Sequence, residues 1–209
     1  MTLVVIFFSS FMIALSGALM PGPLLTVTVS EASRRGVVAG PLMILGHGIL
    51  ELALVLALLS GLAPFLQRED VFVVIALAGG AILLGMAISM FRSLPGLSLD
   101  FSAGERQKQN LILTGIVFSL ANPYWLIWWA SIGLGYIVYS VQFGVPGVVS
   151  FFAGHILADF SWYAFISFGV AKGRRYFSDR AYRGLIGGCA LFLLLFSGYF
   201  LYSGIERLV

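Results

Sequence analysis

The sequence predicts an all-α fold: a polytopic integral membrane protein of six transmembrane helices, built as an inverted 3+3 repeat with helices 1 and 4 broken. Three observations carry that prediction. The composition is too apolar for a soluble domain, six long apolar runs are parted by charged connections, and one order of features occurs twice. Of 209 residues 60% are hydrophobic and 10% charged, whereas soluble domains carry about 25% charged residues. Mean hydropathy is +1.02. A set of buried soluble helices would need a polar shell, and this chain lacks the residues to make one.

The apolar runs fall at roughly 3–30, 37–60, 71–90, 111–138, 146–170 and 184–205, and several reach the ~18–20 residues that span a bilayer as a helix. The first begins MTLVVIFF with no Lys or Arg ahead of it. A signal peptide wants a basic n-region, so this span is expected to be retained. Glu31, Arg34 and Arg35 separate it from the second, and Arg68, Glu69 and Asp70 separate the second from the third. A polar connection at about 92–110 carries Arg92, Arg106 and Lys108. The fourth connection has no charge, and the fifth holds Lys172, Arg174, Arg175, Arg180 and Arg183.

Odd-numbered connections therefore hold 10 of the 12 Lys and Arg residues. The positive-inside rule makes those connections cytoplasmic and both termini extracytoplasmic. The net charge of +3 follows from this distribution and is no sign of nucleic-acid binding. Cys189 lies alone in an apolar run and reads as a small core residue.

Two spans are interrupted, the first by Met20-Pro21-Gly22-Pro23 and the fourth by Ala121-Asn122-Pro123. Proline removes a backbone donor and pushes the preceding residue out of helix. Two prolines around a glycine predict a true unwinding; a single Asn-Pro fits a kink or a break equally. Broken backbone in a membrane survives only where protein or a water-lined cavity satisfies it.

The second span holds His47 and Glu51 and the fifth holds His155 and Asp159, the only two histidines in the chain. Each half thus reads as a broken span, a His–acid span and a plain span, with repeat 1 at about 1–92 and repeat 2 at about 111–209 of one transport domain. Three spans per copy invert the second, the design in which a substrate site lies at the midplane between repeats. The register is imperfect, with 24 residues from Pro23 to His47 but 32 from Pro123 to His155.

A charge at a helix centre costs ~2.5–3.5 kcal/mol on insertion scales and marks ion or substrate pathways. Spacing of four puts each His and its acid on one helical face. Internal ion pairs that merely join helices are the plain alternative, but apolar pairs pack more cheaply. A His–carboxylate pair can carry a proton near neutral pH, and two imidazoles with two carboxylates also resemble a four-ligand metal set. The residues leave both open, and leave open whether the pairs meet.

After the second break come Tyr124, Trp125, Trp128 and Trp129. Trp125 and Trp128 suit a cavity wall or an interfacial belt, while Tyr136 and Tyr139 suit the belt. Ala81-x3-Gly85 and Gly184-x3-Gly188 are spacings that allow helices to pack closely. No Walker loop, nucleophile elbow or HExxH is present. Neither ATP nor catalysis is therefore expected, and no cofactor.

Pro21-Gly22-Pro23, twelve residues, then Gly36-x3-Gly40, with Asn122-Pro123 in the fourth span, resembles the signature of the LysE/RhtB amino-acid exporter family. The likeness extends over the whole chain in size, span count and motif order. It implies a small multi-pass inner-membrane protein that exports amino acids or related metabolites using an ion gradient. The chain departs from many members in having Tyr124 where they follow Asn-Pro with lysine, and resembles a Tyr-Trp-rich branch. A lysine there could pair with a substrate carboxylate, so the likeness does not carry substrate identity.

The expected function is a proton-coupled exporter. Glu51, Asp159, His47 and His155 would handle protons or the substrate amine. Pro21, Gly22, Pro23, Asn122, Pro123, Tyr124 and Trp125 would form the substrate site. The alternative is a divalent metal cation transporter with His47, Glu51, His155 and Asp159 as ligands. The expected partners are the lipid bilayer and a small-molecule substrate, with no nucleic acid; a homo-oligomer is left open.

Overall fold

The computed structural model describes residues 3–66, 68–97, 109–173 and 178–208. Among them there are ten α-helices and no strand. Arg106 and Lys108 of the connection at about 92–110, and Arg174 and Arg175 of the fifth, lie outside the described residues.

The first predicted span is two helices, α1 (Leu3–Ala18) and α2 (Pro23–Arg35). Gly22 is extended at φ −134° and ψ −175°, and Pro23 takes the first helical turn of α2. Pro fits there because its missing N–H would be unpaired in any case. A 3-10 turn at Gly36–Val38 leads into α3 (Ala39–Ala57). The sequence treats Glu31, Arg34 and Arg35 as a connection, but the structure keeps all three within α2. Glu31 and Arg35, one turn apart at 2.7 Å, brace its last turn. Gly36 then bends the chain at φ +80°, a backbone that glycine takes without a Cβ penalty.

A segment at Leu58–Leu62, kinked at Gly61 with φ +110°, and the short α4 (Ala63–Leu66) finish the second span. The third is α5 (Glu69–Ser93), 25 residues long. The fourth is again divided, into α6 (Leu111–Leu120), α7 (Pro123–Trp128), a π-helical turn at Trp129–Gly133 and α8 (Leu134–Val141). Both breaks fall at the expected prolines. Residues 142–143 separate α8 from α9 (Gly144–Gly173), with Gly144 at φ +65°. The last span is α10 (Asp179–Glu206). At 30 and 28 residues, α9 and α10 exceed the ~20 that cross a bilayer.

The interior is apolar, and the outer surface is apolar too, in the way of membrane proteins. On α1 the buried positions are Ile6, Ser10, Ala14 and Ala18, while Val4, Phe8 and Met12 are exposed. Small or polar residues inside let backbones approach, and large apolar ones outside suit lipid. With its long apolar helices, this is a multi-pass membrane protein.

Two crossings repeat one another residue for residue. Where α3 meets α6, a Cβ on Gly46 would strike the carbonyl of Ile112, and one on Gly115 the carbonyl of Met43. Where α1 meets α9, a Cβ on Gly154 would strike the carbonyl of Phe7, and Ser10 Oγ donates to the carbonyl of Phe151 at 2.7 Å. Gly46 and Gly154 are the residues just ahead of the two histidines.

The small-residue spacings in α5 and α10 are a correction. Those helices do pack together, but through Gly80 against Leu201 and Gly204 against Leu77. Gly85, Gly184 and Gly188 have open space where a Cβ would be. Spacing shows which faces are smooth but not which smooth face is covered.

Candidate functional site

Glu51 sits on the buried face of α3, one turn beyond His47, and is 1% exposed. Gly40 and Gly46 bring that face in. A Cβ on Gly40 would collide with the Tyr163 carbonyl of α9, and its N–H donates to Ser167 Oγ at 2.7 Å. The GxxxG of the sequence thus divides its work, with Gly36 bending the chain and Gly40 letting α3 touch α9. That contact carries His155 and Asp159 toward Glu51.

The two His–acid pairs meet as one cluster. Glu51 Oε1 lies 3.0 Å from His47 Nε2 and 3.1 Å from His155 Nε2. It also accepts from the indole N–H groups of Trp125 at 3.1 Å and Trp129 at 2.8 Å. Trp125 and Trp129 are four residues apart across the start of the π-helical turn, so both indoles reach one carboxylate from one face. π-turns inside helices concentrate at functional sites.

Asp159 is placed differently. Its Oδ2 lies 3.5 Å from His155 Nε2 and 3.8 Å from His47 Nε2, and it is buried without a hydrogen bond. Trp128 Nε1 and His155 Nδ1 are likewise buried without partners. The His155 ring is held against Trp128 and Trp129, at centroid distances of 4.9 and 5.1 Å.

Ser119 Oγ lies 2.7 Å from the Gly115 carbonyl and 2.7 Å from His47 Nδ1, and its one hydroxyl proton serves one of the two. Donated to the carbonyl, it leaves His47 Nδ1–H to donate to Ser119; donated to Nδ1, it leaves His47 Nε2–H to donate to Glu51. An isolated buried charge is very unfavourable, and here the acids and imidazoles stand in contact with one another.

The cluster lines a cavity where the two breaks adjoin. Its walls include Gly22, His47, Glu51, Asn122, Tyr124, Trp125, Trp128, His155, Asp159 and Tyr163. A Cβ on Gly22 would lie 3.4 Å from Asn122 Nδ2. The volume open to water centres is about 50 Å³, enough for a few waters. Asn122 Oδ1 caps α7 by accepting the Tyr124 N–H at 3.2 Å, whereas no side chain caps α2. Pro21 and Pro23 shape the first break, and Pro123 opens α7. Trp129, Ser119 and Tyr163 join the site beyond the residues named from sequence. The signal for Trp129 was its spacing of four from Trp125; for Ser119 and Tyr163 the sequence offers none.

Paired broken helices around a buried acid–imidazole cluster, in a bundle of apolar helices, define a membrane translocator. The sequence pattern of the LysE type translocator matches residues 15–204, and the chain belongs to that family. It is similar to "Chemotactic transduction protein ChpE" of Pseudomonas aeruginosa, with 32% identity over 178 residues, 81% of this chain and 86% of that protein. It is also similar to "Putative amino acid efflux protein YcgF" of Bacillus subtilis, with 22% identity over 206 residues, 98% of this chain and 99% of that one. No solved structure matches.

Proposed function

We propose that the chain is a secondary transporter of the cell (cytoplasmic) membrane that exports amino acids or related small metabolites, coupled to proton influx. The observation that carries this reading is the junction of the two helix breaks with a buried His–acid cluster in one cavity. The end-to-end similarity to a protein whose name describes amino acid efflux supports the substrate class. The matched crossings of α3 on α6 and α1 on α9 support an inverted 3+3 repeat. The distribution of Lys and Arg supports extracytoplasmic termini.

In this mechanism the first-turn N–H groups of α2, at the positive end of its dipole, hold the substrate carboxylate. The carboxylate cluster holds its ammonium. Protonation from outside displaces the ammonium and releases substrate; loss of that proton to the cytoplasm restores the site.

The test is purified protein in liposomes with an internal pH dye and an outward gradient of mixed amino acids. Proton entry that requires amino acids and vanishes in Glu51→Gln or Asp159→Asn is expected. Normal transport by both variants would end this mechanism.

One observation favours a second reading, transport of a divalent cation. His47, Glu51 and Asp159 offer ligand atoms that all lie within 4.8 Å of one another, and His155 Nε2 stands 3.1 Å from Glu51 Oε1 and 3.5 Å from Asp159 Oδ2. Ser119 on His47 Nδ1 is the kind of outer partner that orients a metal-binding histidine. In the same liposomes this reading expects proton movement only when Mn²⁺, Zn²⁺ or Cd²⁺ is supplied.

A further inference from the structure

A second cleft lies at the basic end of the bundle, away from the central cavity. About 330 Å³ in volume, it is lined by Arg34, Arg35, Gly36 and Val37 at the end of α2 and by Ala171 and Lys172 at the end of α9. The 3-10 turn at Gly36–Val38 packs on α9 and brings the two helix ends together. A Cβ on Gly36 would meet nothing within 4 Å, so the bend leaves the floor of the cleft open.

Its three cations are not equivalent. Arg35 is already engaged: its Nε stands 2.7 Å from Glu31 Oε2, and its Nη1 donates to the Gln109 carbonyl at 2.7 Å. Arg34 and Lys172 are exposed and have no hydrogen bond or ion pair among the described residues. A cation near a helix C-terminus suits the dipole, but that alone does not bring cations from two helices onto one cleft. No acid lines it, and the nearby Glu31 is taken by Arg35.

The cleft also borders the apolar outer surface. Phe168 lies one turn before Lys172 on α9 and is exposed, as are Val37 and Val38. Spacing of four puts Phe168 and Lys172 on one helical face, and large apolar side chains on the outside of a membrane bundle meet acyl chains. A ligand seated here touches cations at one end and lipid-facing surface at the other.

We propose that this cleft binds an anionic phospholipid, its phosphate held by Arg34 and Lys172 and its acyl chains lying along Val37, Val38 and Phe168. A guanidinium meets phosphate with paired N–H donors, and Lys adds a point charge. Basic pockets between membrane helices take anionic headgroups in this way. A free phosphate would use the same cations but gain nothing from the apolar border. Because α2 starts at the first break and α9 carries His155 and Asp159, one bound lipid fastens together two helices that frame the central site.

The experiment is native mass spectrometry of the purified protein from neutral detergent, with phosphatidylglycerol or phosphatidylcholine added at equal concentration. Each cation beside an anionic lipid is worth about fivefold in affinity. The parent should therefore retain one phosphatidylglycerol at least about tenfold more than phosphatidylcholine. Arg34→Gln/Lys172→Gln should lose that preference while its thermal unfolding in lipid-free detergent stays as in the parent. Arg92→Gln/Arg180→Gln removes two exposed cations from the same end of the bundle but outside the cleft, and should keep it. No preference in the parent, a preference that survives Arg34→Gln/Lys172→Gln, or equal loss in both double variants would overturn the proposal. Glycerol phosphate retained as strongly as phosphatidylglycerol would also overturn it, by assigning the cleft to a soluble phosphate.

Discussion

His47–Glu51 on α3 and His155–Asp159 on α9 are the same motif in the same setting, yet their carboxylates lead different lives. Each pair follows a glycine pressed onto a neighbouring backbone carbonyl, Gly46 on Ile112 and Gly154 on Phe7. Beyond that the likeness stops. Glu51 gathers two indole donors and two imidazoles on Oε1, while Asp159 Oδ2, like Glu51 Oε2, has no hydrogen bond. The difference comes from the broken helices. The second break is followed by Trp125 and Trp129, whose N–H groups reach Glu51; the first is followed by Leu24, Leu25 and Thr26, with no indole to offer Asp159. A repeated sequence can therefore place two acids alike and still give them separate tasks. Glu51 fastens the α7 segment to α3, and Asp159 Oδ2 stays without a hydrogen bond at the cavity.

That contrast is sharpest in stability. Glu51→Ala would leave four donors facing a void, and removing one partner of a buried charged network costs about 3–5 kcal/mol. Asp159→Ala strands no hydrogen bond and should cost about 1 kcal/mol. Thermal unfolding of the purified variants in detergent measures both, and equal losses would break the comparison. Next in size come the indoles. Trp125→Phe and Trp129→Phe each remove a hydrogen bond to a charged group, worth about 1.5–3 kcal/mol. Trp128→Phe removes an N–H without a partner, so only the lost ring volume should count, about 1 kcal/mol. A Trp128→Phe loss as large as that of Trp129→Phe would mean the bonds to Glu51 are not what holds α7.

The scaffold should respond symmetrically where the acids do not. Gly46→Ala and Gly154→Ala each push a methyl into a backbone carbonyl, and overpacking of this kind costs about 1–3 kcal/mol. The two losses should agree within about 0.5 kcal/mol, read by the same unfolding measurement. A large loss at one glycine and none at the other would show that the crossings are not equivalent.

What could be read from the sequence follows the range of the forces involved. The breaks at Pro21–Pro23 and Asn122–Pro123 are local consequences of proline chemistry, and both appear where expected. The all-α membrane class follows from composition summed over the chain. The α2–α3 boundary was harder, because Glu31 and Arg35 read as a charged connection when they are a helix-bracing pair. The meeting of the two His–acid pairs depends on Gly40 and Gly46 admitting α9 and α6, which one chain's pattern does not reveal. The glycine directly before each histidine was visible as a repeated dipeptide, but its meaning needed the carbonyls of Ile112 and Phe7. Ser119, which hydrogen-bonds His47 Nδ1, looks like any other serine in an apolar run.

The smallest expected change in stability carries the most functional weight. Asp159→Asn alters no volume, and Oδ2 has no hydrogen bond to lose, so unfolding should move by about 0.5 kcal/mol or less. What the amide removes is the negative charge and the ability to exchange a proton at that oxygen. If Asp159 is the group that an ammonium or a proton visits, coupled transport should fall on the order of a hundredfold in a protein as stable as its parent. Glu51→Gln makes the informative partner. Its amide can still accept from Trp125 and Trp129 while losing its attraction for the two histidines, so a lowered unfolding temperature and a partial loss of transport are expected. The liposome assay separates the roles, because a stable Asp159→Asn that transports normally, beside an inactive Glu51→Gln, would exchange them and make Glu51 the carrier.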